Sequence, residues 1–266
     1  MTCGVGVWRT SLSGVAARVS SVSEQADEVV FRSDVTVELV RSSAADSDVL
    51  FAARVSTQGE KTLDAAAAGD AATVRDRGLI NYLMRDRHGS PFEHNSMTFY
   101  IQAPIFVFRE FMRHRIASYN EESGRYRELR PVFYVPGPER NLVQVGKPGA
   151  YEFLPGTPEQ HALVDTEVRA ACEAAYASYQ RMLESGIARE VARAVLPVTI
   201  YSTMYVTMNA RSLMNFLSLR TKREGTHFPS FPQREIEMVA EQMEQHFAAL
   251  MPLTYESFNA NGRVAP

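Results

Sequence analysis

Hydrophobic and polar residues alternate along several short stretches of this chain, and each of these stretches predicts a β-strand. Residues 35–40 are rich in β-branched side chains, and residues 96–103 and 198–207 place apolar side chains largely at every second position. A period of two is typical of a strand with one face toward a core. Residues 131–136 predict a shorter strand. The stretch after it, residues 136–158, is rich in proline and glycine and predicts a long surface loop.

Apolar residues three and four positions apart predict helices between these strands. The predicted helices cover residues 44–54, 71–87, 159–185, 187–196 and 209–220. A final amphipathic helix runs through Met238 and Leu250 and ends at Pro252. An Ala-rich connection, residues 59–69, separates the first two helices.

Residues with special backbone preferences mark the ends of several helices. Asn209 predicts an N-cap for the helix over residues 209–220. Gly89 predicts a helix end, with Ser90 as the cap and Pro91 as the first residue of a short new helix. Pro104 predicts the start of a helix on which two arginines four positions apart, Arg109 and Arg113, share one face.

Length and composition narrow the class of protein. The chain has 266 residues, of which 45% are hydrophobic and 22% charged, as in globular proteins with a sizeable core. Residues 1–33 predict a flexible N-terminal extension, and residues 34–266 predict one domain. The net charge of −3 argues against nucleic-acid binding, and no apolar run is long enough to cross a membrane. The only cysteines, Cys3 and Cys172, predict neither a disulfide framework nor a thiolate metal site, so we expect a cytoplasmic protein.

Candidate chemistry is concentrated in residues 113–126, which read RHRIASYNEESGRY. Guanidinium groups bind oxyanions through paired hydrogen bonds, so this density of arginine and hydroxyl groups suits phosphate or carboxylate ligands. Gly124 would allow the backbone to come close to a ligand. A solvated charged loop is the alternative, but the apolar run that precedes the arginines favours a site at the end of a core element.

This stretch resembles the signature of flavin-dependent thymidylate synthases, RHRxxSxNxxSxRY. The matching positions are Arg113, His114, Arg115, Ser118, Asn120, Ser123, Arg125 and Tyr126. Further segments follow in the family's order, namely HGSPFEH from residue 88, EVARAVLP from residue 190, NARSLMNF from residue 209 and LSLR ending at residue 220. The resemblance implies an α+β subunit with an antiparallel sheet, assembled as a homotetramer whose sites are shared between subunits. Since the chain has no G-x-G-x-x-G fingerprint, we expect a flavin site that is not of the Rossmann type.

The same resemblance implies a reaction, its cofactors and its site residues. The reaction is reductive methylation of dUMP at C5 to dTMP, in which 5,10-methylenetetrahydrofolate supplies the carbon, FAD carries hydride and NADPH reduces the FAD. Arg220 is implied as the catalytic residue that polarises the pyrimidine. The implied nucleotide-binding residues are Glu110, Arg113, Glu121, Glu122, Ser123, Gly124, Arg125, Arg193 and Arg220. The implied FAD-binding residues are His88, Ser90, Arg113, His114, Arg115, Glu121, Asn209, Arg211 and Asn215.

A physical argument from the cysteines agrees with the flavin route. A cysteine-dependent thymidylate synthase needs a thiol of lowered pKa that adds to the pyrimidine. Neither cysteine lies near an arginine-rich motif, and we interpret Cys172 as a core residue. Ser123 has no adjacent general base, so we interpret it as a hydrogen-bonding group.

Two positions near the implied flavin site stay open. Many family members have a flavin-contacting histidine where this chain has Phe231, so either Phe231 replaces it or His227 reaches in from the preceding loop. His88, Glu93 and His94 could suggest a metal, but no further ligand lies nearby and we expect none. We interpret His94 as a packed, hydrogen-bonded structural residue.

Three rival functions remain. The first is a paralogue that methylates UMP at C5 in nucleoside-antibiotic biosynthesis, such as polyoxin pathways, because a 2′-hydroxyl needs only room or one hydrogen-bond partner. The second is a non-catalytic protein that binds nucleotide or flavin. The third, an RNA-binding surface, lacks the aromatic platform and positive charge that it would need. We favour the dUMP enzyme.

Overall fold

The protein has an α+β fold. Its structure, a computed structural model, describes residues 28–59, 74–147 and 150–266. Its strands are β1 (Val30–Arg32), β2 (Thr36–Ser43), β3 (Ser96–Pro104), β4 (Ser118–Glu121), β5 (Val132–Tyr134), β6 (Val143–Lys147), β7 (Ala150–Leu154) and β8 (Tyr201–Met208). Its α-helices are α1 (Asp46–Gln58), α2 (Val74–Arg85), α3 (Ile105–Phe111), α4 (Pro158–Glu184), α5 (Arg189–Ala192), α6 (Ala210–Arg220), α7 (Arg234–Leu250) and α8 (Pro252–Ala260).

An antiparallel sheet of four strands lies at the centre, in the order β2–β3–β8–β4. Its interior strand β3 confirms the predicted alternation, because Met97, Phe99, Ile101 and Ala103 are all fully buried. The register is interrupted between Leu39 and Arg41 of β2, where a bulge occurs. Burial of one face of this sheet explains why its register is fixed.

The main core lies between this sheet and helices α1, α2, α3, α6, α7 and α8. Two aromatic rings join the helices that later carry the site: Phe111 of α3 and Phe216 of α6 are fully buried, with ring centroids 4.3 Å apart. Removing a ring such as Phe216 costs about 3–5 kcal/mol in a typical core. The relative placement of α3 and α6 is therefore firmly held.

A second, smaller core joins α4 to the parallel strand pair β1–β5. Cys172 of α4 is 2% exposed there, and its Sγ lies 3.4 Å from Thr199 Oγ1. Burial raises the pKa of this thiol. The interpretation of Cys172 as a core residue is confirmed, whereas Cys3 lies outside the described residues.

Most of the predicted elements are confirmed, with bounds shifted by a few residues. These include the strands at β2, β3, β5 and β8 and the helices at α1, α2, α4, α6 and α7. Asn209 caps α6, since its side-chain oxygen accepts a hydrogen bond from Ser212 N at 2.8 Å. Among the described residues, no helix is both long and apolar enough to cross a membrane.

Several predictions of local structure are wrong. The predicted surface loop, residues 136–158, contains the hairpin β6–β7. Pro252 ends α7, as predicted, but α7 is not the final helix, because Pro252 also lies in the first turn of α8. Residues 187–196 form only the short α5 and a 3-10 turn, because Ala188 and Leu196 are extended. Ser90 is not a cap but the first residue of a 3-10 helix, Ser90–Glu93, whose N-cap is Gly89.

Strand β1 falls inside the predicted N-terminal extension, residues 1–33, and pairs with β5. Residues 1–27 and the predicted connection at residues 59–69, apart from Gly59, lie outside the described residues. The flexibility of the extension therefore stays a prediction.

Candidate active site

Arg220 is the last residue of α6, and its guanidinium is held by two side chains. Nη1 donates to Glu110 Oε2 at 2.8 Å, and Nη2 lies 3.5 Å from the Glu110 carbonyl oxygen. Nε donates to His114 Nε2 at 3.1 Å. The arginine and glutamate side chains keep 20% and 30% of their surface exposed, so the group lies at the edge of the core and within reach of a ligand.

The elements that carry this group are fixed at both ends of α6. Asn95 Oδ1 accepts from Ala210 N at 2.7 Å at the start of the helix, and Thr221 Oγ1 donates to Leu217 O at 2.7 Å at its end. The hydroxyl of Ser230 donates to Thr221 O at 2.5 Å, which ties the following loop to the same point. Arg220 therefore emerges from a helix end that cannot easily move.

His114 lies against the buried core rather than in open solvent. Its ring meets Phe216 edge-on at 4.9 Å between centroids, and its carbonyl oxygen accepts a hydrogen bond from Tyr119 at 2.5 Å. Burial, and secondarily the charge of Arg220, lower the pKa of His114 to about 4. His114 is consequently neutral near pH 7.

Arg113 and Arg115 flank His114 but are exposed. The prediction that Arg109 and Arg113 share one helix is wrong, because α3 ends at Phe111 and a turn follows, with Arg113 N bonded to Glu110 O at 3.2 Å. Within the described part of the chain, no side-chain hydrogen bond or ion pair of Arg113 or Arg115 is found. These two cations are available for an anionic ligand.

The acidic part of the signature is aligned by strand pairing. β4 pairs with β8, with Glu121 opposite Met204, and Glu122 N donates to Thr203 O at 2.8 Å. Glu122 is held further by Arg127 at 3.0 Å. Burial raises the pKa of Glu121, and this effect is partly offset by a hydrogen bond and by the charge of Arg193.

The turn after β4 brings Gly124 and Arg193 together. A Cβ on Gly124 would lie 3.0 Å from Leu129 Cδ1 and 3.2 Å from Arg193 Cδ, so the close approach here is to protein side chains. Ser123 Oγ accepts from Arg125 N at 3.3 Å, and the guanidinium of Arg125 pairs with Glu190 at 2.9 Å. The structure thus gathers the predicted nucleotide residues Glu121–Arg125 and Arg193 around the end of β4.

Some of the residues implied for flavin, namely His88, Ser90, Asn209, Arg211 and Asn215, lie on or near the first half of α6, apart from Arg113, His114, Arg115 and Glu121. Arg211 donates from Nη1 to Glu93 Oε1 and from Nε to the Pro266 carbonyl oxygen, both at 2.5 Å. A Cβ on Gly89 would lie 2.6 Å from Arg211 Cζ, so this guanidinium packs directly against the glycine. His88, Ser90 and Asn215 are exposed around it.

Within one chain, the implied flavin residues of α6 and Arg220 face different directions. Arg211 and Arg220 are nine residues apart on one helix, which corresponds to about 13 Å along the axis and about half a turn around it. Arg211 and Asn215, in contrast, share a face. The structure therefore does not bring Arg211 and Arg220 into one pocket of a single subunit.

Sequence reasoning assigned no role to three charged residues that hold the predicted site residues. Glu93 pairs with Arg211, Glu190 pairs with Arg125 at 2.9 Å, and Arg127 pairs with Glu122 at 3.0 Å. Glu93 could have been found, because it belongs to the HGSPFEH segment. Glu190 is separated from Arg125 by 65 residues, and no sequence pattern indicates that contact.

Two further histidines, His94 and His227, lie at the surface. His94 is exposed, so its interpretation as a packed residue is wrong. His227 is also exposed, with its backbone N bonded to Gly262 O at 2.8 Å and its ring 4.5 Å from Phe228. Phe231 is 56% exposed.

Comparison with known proteins identifies the family. Residues 38–253 match the family model described as Thymidylate synthase complementing protein. The chain belongs to this family. It is 67% identical over 240 residues, which is 90% of this chain and 96% of the relative, to a flavin-dependent thymidylate synthase of Streptomyces coelicolor. A flavin-dependent thymidylate synthase of Tropheryma whipplei is 61% identical over 237 residues, covering 89% of this chain and 97% of the relative.

Solved structures agree with this membership. Two structures of PolB, a UMP/dUMP methylase from Streptomyces cacaoi, match with TM-scores of 0.82 and 0.84 at 57% identity, covering 90% of this chain and 100% of PolB. One was bound with 5-Br UMP and the other with 5-Br dUMP. The family resemblance, the α+β fold and the assignment as an enzyme of the flavin-dependent thymidylate synthase type are thereby confirmed.

Proposed function

We propose that this enzyme methylates C5 of dUMP to form dTMP, with 5,10-methylenetetrahydrofolate as carbon donor, FAD as hydride carrier and NADPH as reductant. The observation that carries the proposal is the fixed guanidinium of Arg220, held by Glu110 and His114 at the end of α6. Substitution at C5 of a pyrimidine develops negative charge on the ring. A positioned cation at the edge of the core, partly shielded from water, stabilises such charge more strongly than a solvated one.

The nucleotide is proposed to lie between Arg220 and the end of β4. Arg113, Arg125 and Arg193 would supply positive charge for its phosphate, and Ser123 a hydroxyl. Glu121 and Glu122 are placed by the pairing of β4 with β8, and their backbone groups and carboxylates would contact the sugar and base.

The residues present fit a bound FAD in their charge and exposure. Arg113 and Arg115 are exposed cations without partners in the described ranges, which suits a pyrophosphate. His88, Ser90, Asn209, Arg211, Asn215, His114 and Glu121 are the other proposed contacts. FAD would supply hydride to the nascent methyl group. The chain itself binds, orients and shields the reactants, as proteins do for cofactor chemistry.

Protein nucleophiles play no part in the proposed reaction. Burial raises the pKa of the Cys172 thiol, which is the opposite of the activation that a nucleophilic cysteine needs. Ser123 Oγ accepts a hydrogen bond from Arg125 N, and within the described residues no base is positioned to remove its proton. These observations support a role for Ser123 in binding.

We further propose a homotetramer whose sites are shared between subunits and whose flavin site is not of the Rossmann type. The support is the separation of Arg211 and Asn215 from Arg220 on α6. A subunit interface that brings the Arg211 side of α6 of one chain to the Arg220 side of α6 of another would complete such a shared site.

A second candidate substrate is UMP. It is favoured by the likeness to PolB, which is described as a UMP/dUMP methylase and was solved with analogues of both nucleotides. The relatives that are 67% and 61% identical are named thymidylate synthases, which favours dUMP. The remote alternative, a non-catalytic nucleotide- or flavin-binding protein, conflicts with the preserved Arg220 group. The cytoplasmic location stays a prediction.

A paired assay tests the proposal. Purified protein receives FAD, NADPH and methylenetetrahydrofolate with either dUMP or UMP, and the two C5-methylated products are quantified separately. We expect product from dUMP. Comparable product from UMP would establish the alternative substrate. No product from either, with flavin bound, would establish the binding-protein alternative and overturn the proposal.

A further inference from the structure

The N–H groups of the Arg220 guanidinium fall into two sets. One set contacts His114 and Glu110, and the other, which we call the free edge, has no acceptor among the described residues. A guanidinium carries five N–H groups. Three of them face protein acceptors: Nε faces His114, one N–H of Nη1 faces the Glu110 carboxylate, and one N–H of Nη2 faces the Glu110 carbonyl. One N–H group on each Nη atom has no acceptor among the described residues. A guanidinium can donate such N–H groups to acceptors on a ring.

We propose that His114 and Glu110 are positioning residues for Arg220, with His114 acting as a neutral acceptor protonated at Nδ1. The contact itself dictates this tautomer. An arginine keeps its protons at every relevant pH, so Nε can only donate. His114 Nε2, 3.1 Å away, must therefore carry a lone pair.

The surroundings of His114 favour the same state. Arg220 from α6 faces it with positive charge, and a protonated imidazole would put two cations at hydrogen-bond distance. Glu110 from α3 is engaged with Arg220, and Tyr119 from β4 donates to the His114 carbonyl oxygen rather than to its ring. Burial and the charge of Arg220 lower the pKa of His114 to about 4.

This role differs from the flavin contact that the family resemblance implies for His114. Its Nε2 is occupied by Arg220, so only Nδ1–H and the ring surface remain for a flavin. Loss of the acceptor would let the guanidinium turn toward Glu110 and form a bidentate pair. The inference rests on the proposed function in one respect, that the free edge of Arg220 acts on the pyrimidine.

The kinetic test compares the variants His114→Ala, His114→Gln, Glu110→Ala and Glu110→Gln. Glutamine can still accept from Arg220 through its side-chain oxygen, whereas alanine cannot. We expect the alanine variants to lose about 10- to 100-fold in kcat with KM for the nucleotide changed less than about threefold, since the lost interaction acts in the transition state. We expect the glutamine variants to stay within about fivefold of the wild type.

His161→Gln provides the matched control, because His161 lies on α4, outside the proposed site. Flavin content, measured by absorbance, is followed in every variant. His114→Gln as inactive as His114→Ala would overturn the proposal. So would a loss of kcat in both variants that saturation with FAD restores, which would assign the effect of His114 to flavin binding alone.

A spectroscopic test does not depend on turnover. The chain has six histidines, so selective 15N-histidine labelling of the holoenzyme at pH 7 allows the ring nitrogens to be assigned through the His114→Gln spectrum. We expect an unprotonated Nε2 and a protonated Nδ1 for His114, and loss of that preference in Arg220→Ala. A protonated Nε2 would contradict the inference. If the wild type makes no product, the proposed function fails while this tautomer result still stands.

Discussion

Arg220 and the pair Arg113 and Arg115 show two ways of presenting a cation. Arg220 is half-buried and bound by Glu110 at 2.8 Å and His114 at 3.1 Å before any ligand arrives. Arg113 and Arg115 are exposed, and no side-chain partner is found for either of them in residues 28–59, 74–147 and 150–266. A fixed cation suits charge that develops during a reaction, because no reorganisation is needed. A cation without a partner suits binding of an anionic ligand, because the new contacts with the ligand then order the arginine side chain.

Arg220→Ala should have the largest effect, because it removes the fixed cation. We expect turnover to fall at least about 100-fold, comparable to the loss of a transition-state hydrogen-bond donor. Flavin should stay bound, since Arg211 lies at the other end of α6. The measurement is product formation from dUMP together with the absorbance of bound flavin. A colourless variant would reassign Arg220 to the flavin.

Arg115→Ala should act on binding rather than on chemistry. We expect flavin affinity to fall about tenfold, as for loss of one charge-assisted hydrogen bond, with kcat at saturating FAD changed less than about threefold. Titration of the apoprotein with FAD measures the first quantity and steady-state assay the second. A drop in kcat that saturation with FAD does not restore would show that Arg115, like Arg220, acts on the chemical step.

Replacing His114 should change how stability depends on pH. The pKa of His114 is about 4 in the folded chain against an ordinary 6.5, so between these values the unfolded chain binds the extra proton. Stability should therefore fall as the pH is lowered through this window. After allowance for partial exposure, we expect this residue to contribute about 1–2 kcal/mol of the fall.

Urea unfolding measures the free energy of unfolding at pH 7 and at pH 5. We expect this free energy to fall less from pH 7 to pH 5 in His114→Gln than in the wild type. His161→Gln should keep the wild-type difference. An unchanged difference in His114→Gln would show that His114 binds a proton in the folded chain.

Cys172→Ser should have the smallest effect. The thiol is buried and touches Thr199, away from the arginines, so we expect turnover within about twofold and a stability loss of about 1 kcal/mol. Assay and thermal unfolding measure both. Complete inactivation of a variant that still folds would point to a cysteine mechanism. It would contradict the proposal that the reaction depends on Arg220 and not on a protein nucleophile.

Local patterns predicted most of the elements that form the core. The alternation in β3 and the apolar spacing in α4 could be predicted from the sequence, because each pattern results from burial of one face of a single element. Asn209 as a cap was readable because its hydrogen bond is made three residues away. The family signature added the identity of the site residues.

The wrong predictions arose where one residue type serves two purposes. Pro252 ends α7, as predicted, but a proline is equally suited to the first turn of a helix, so the further helix α8 begins there unpredicted. The Pro- and Gly-rich composition of the stretch after β5 predicts a loop, although short alternating segments around Pro148 and Gly149 are typical of a hairpin. The contacts of Arg220 with Glu110, separated by 110 residues, follow from packing of α3 on α6 and leave no local pattern.

The pairing of β4 has a consequence for synthesis of the chain. β4 contains signature residues 118–121 and lies at the edge of the sheet, where β8 is its only neighbour among the described strands. During translation, β4 leaves the ribosome about 80 residues before Tyr201, a delay of about 4–16 s at 5–20 residues per second. The arginine-rich segment is thus made early but aligned late, and a nascent chain arrested before β8 carries the full signature without a site.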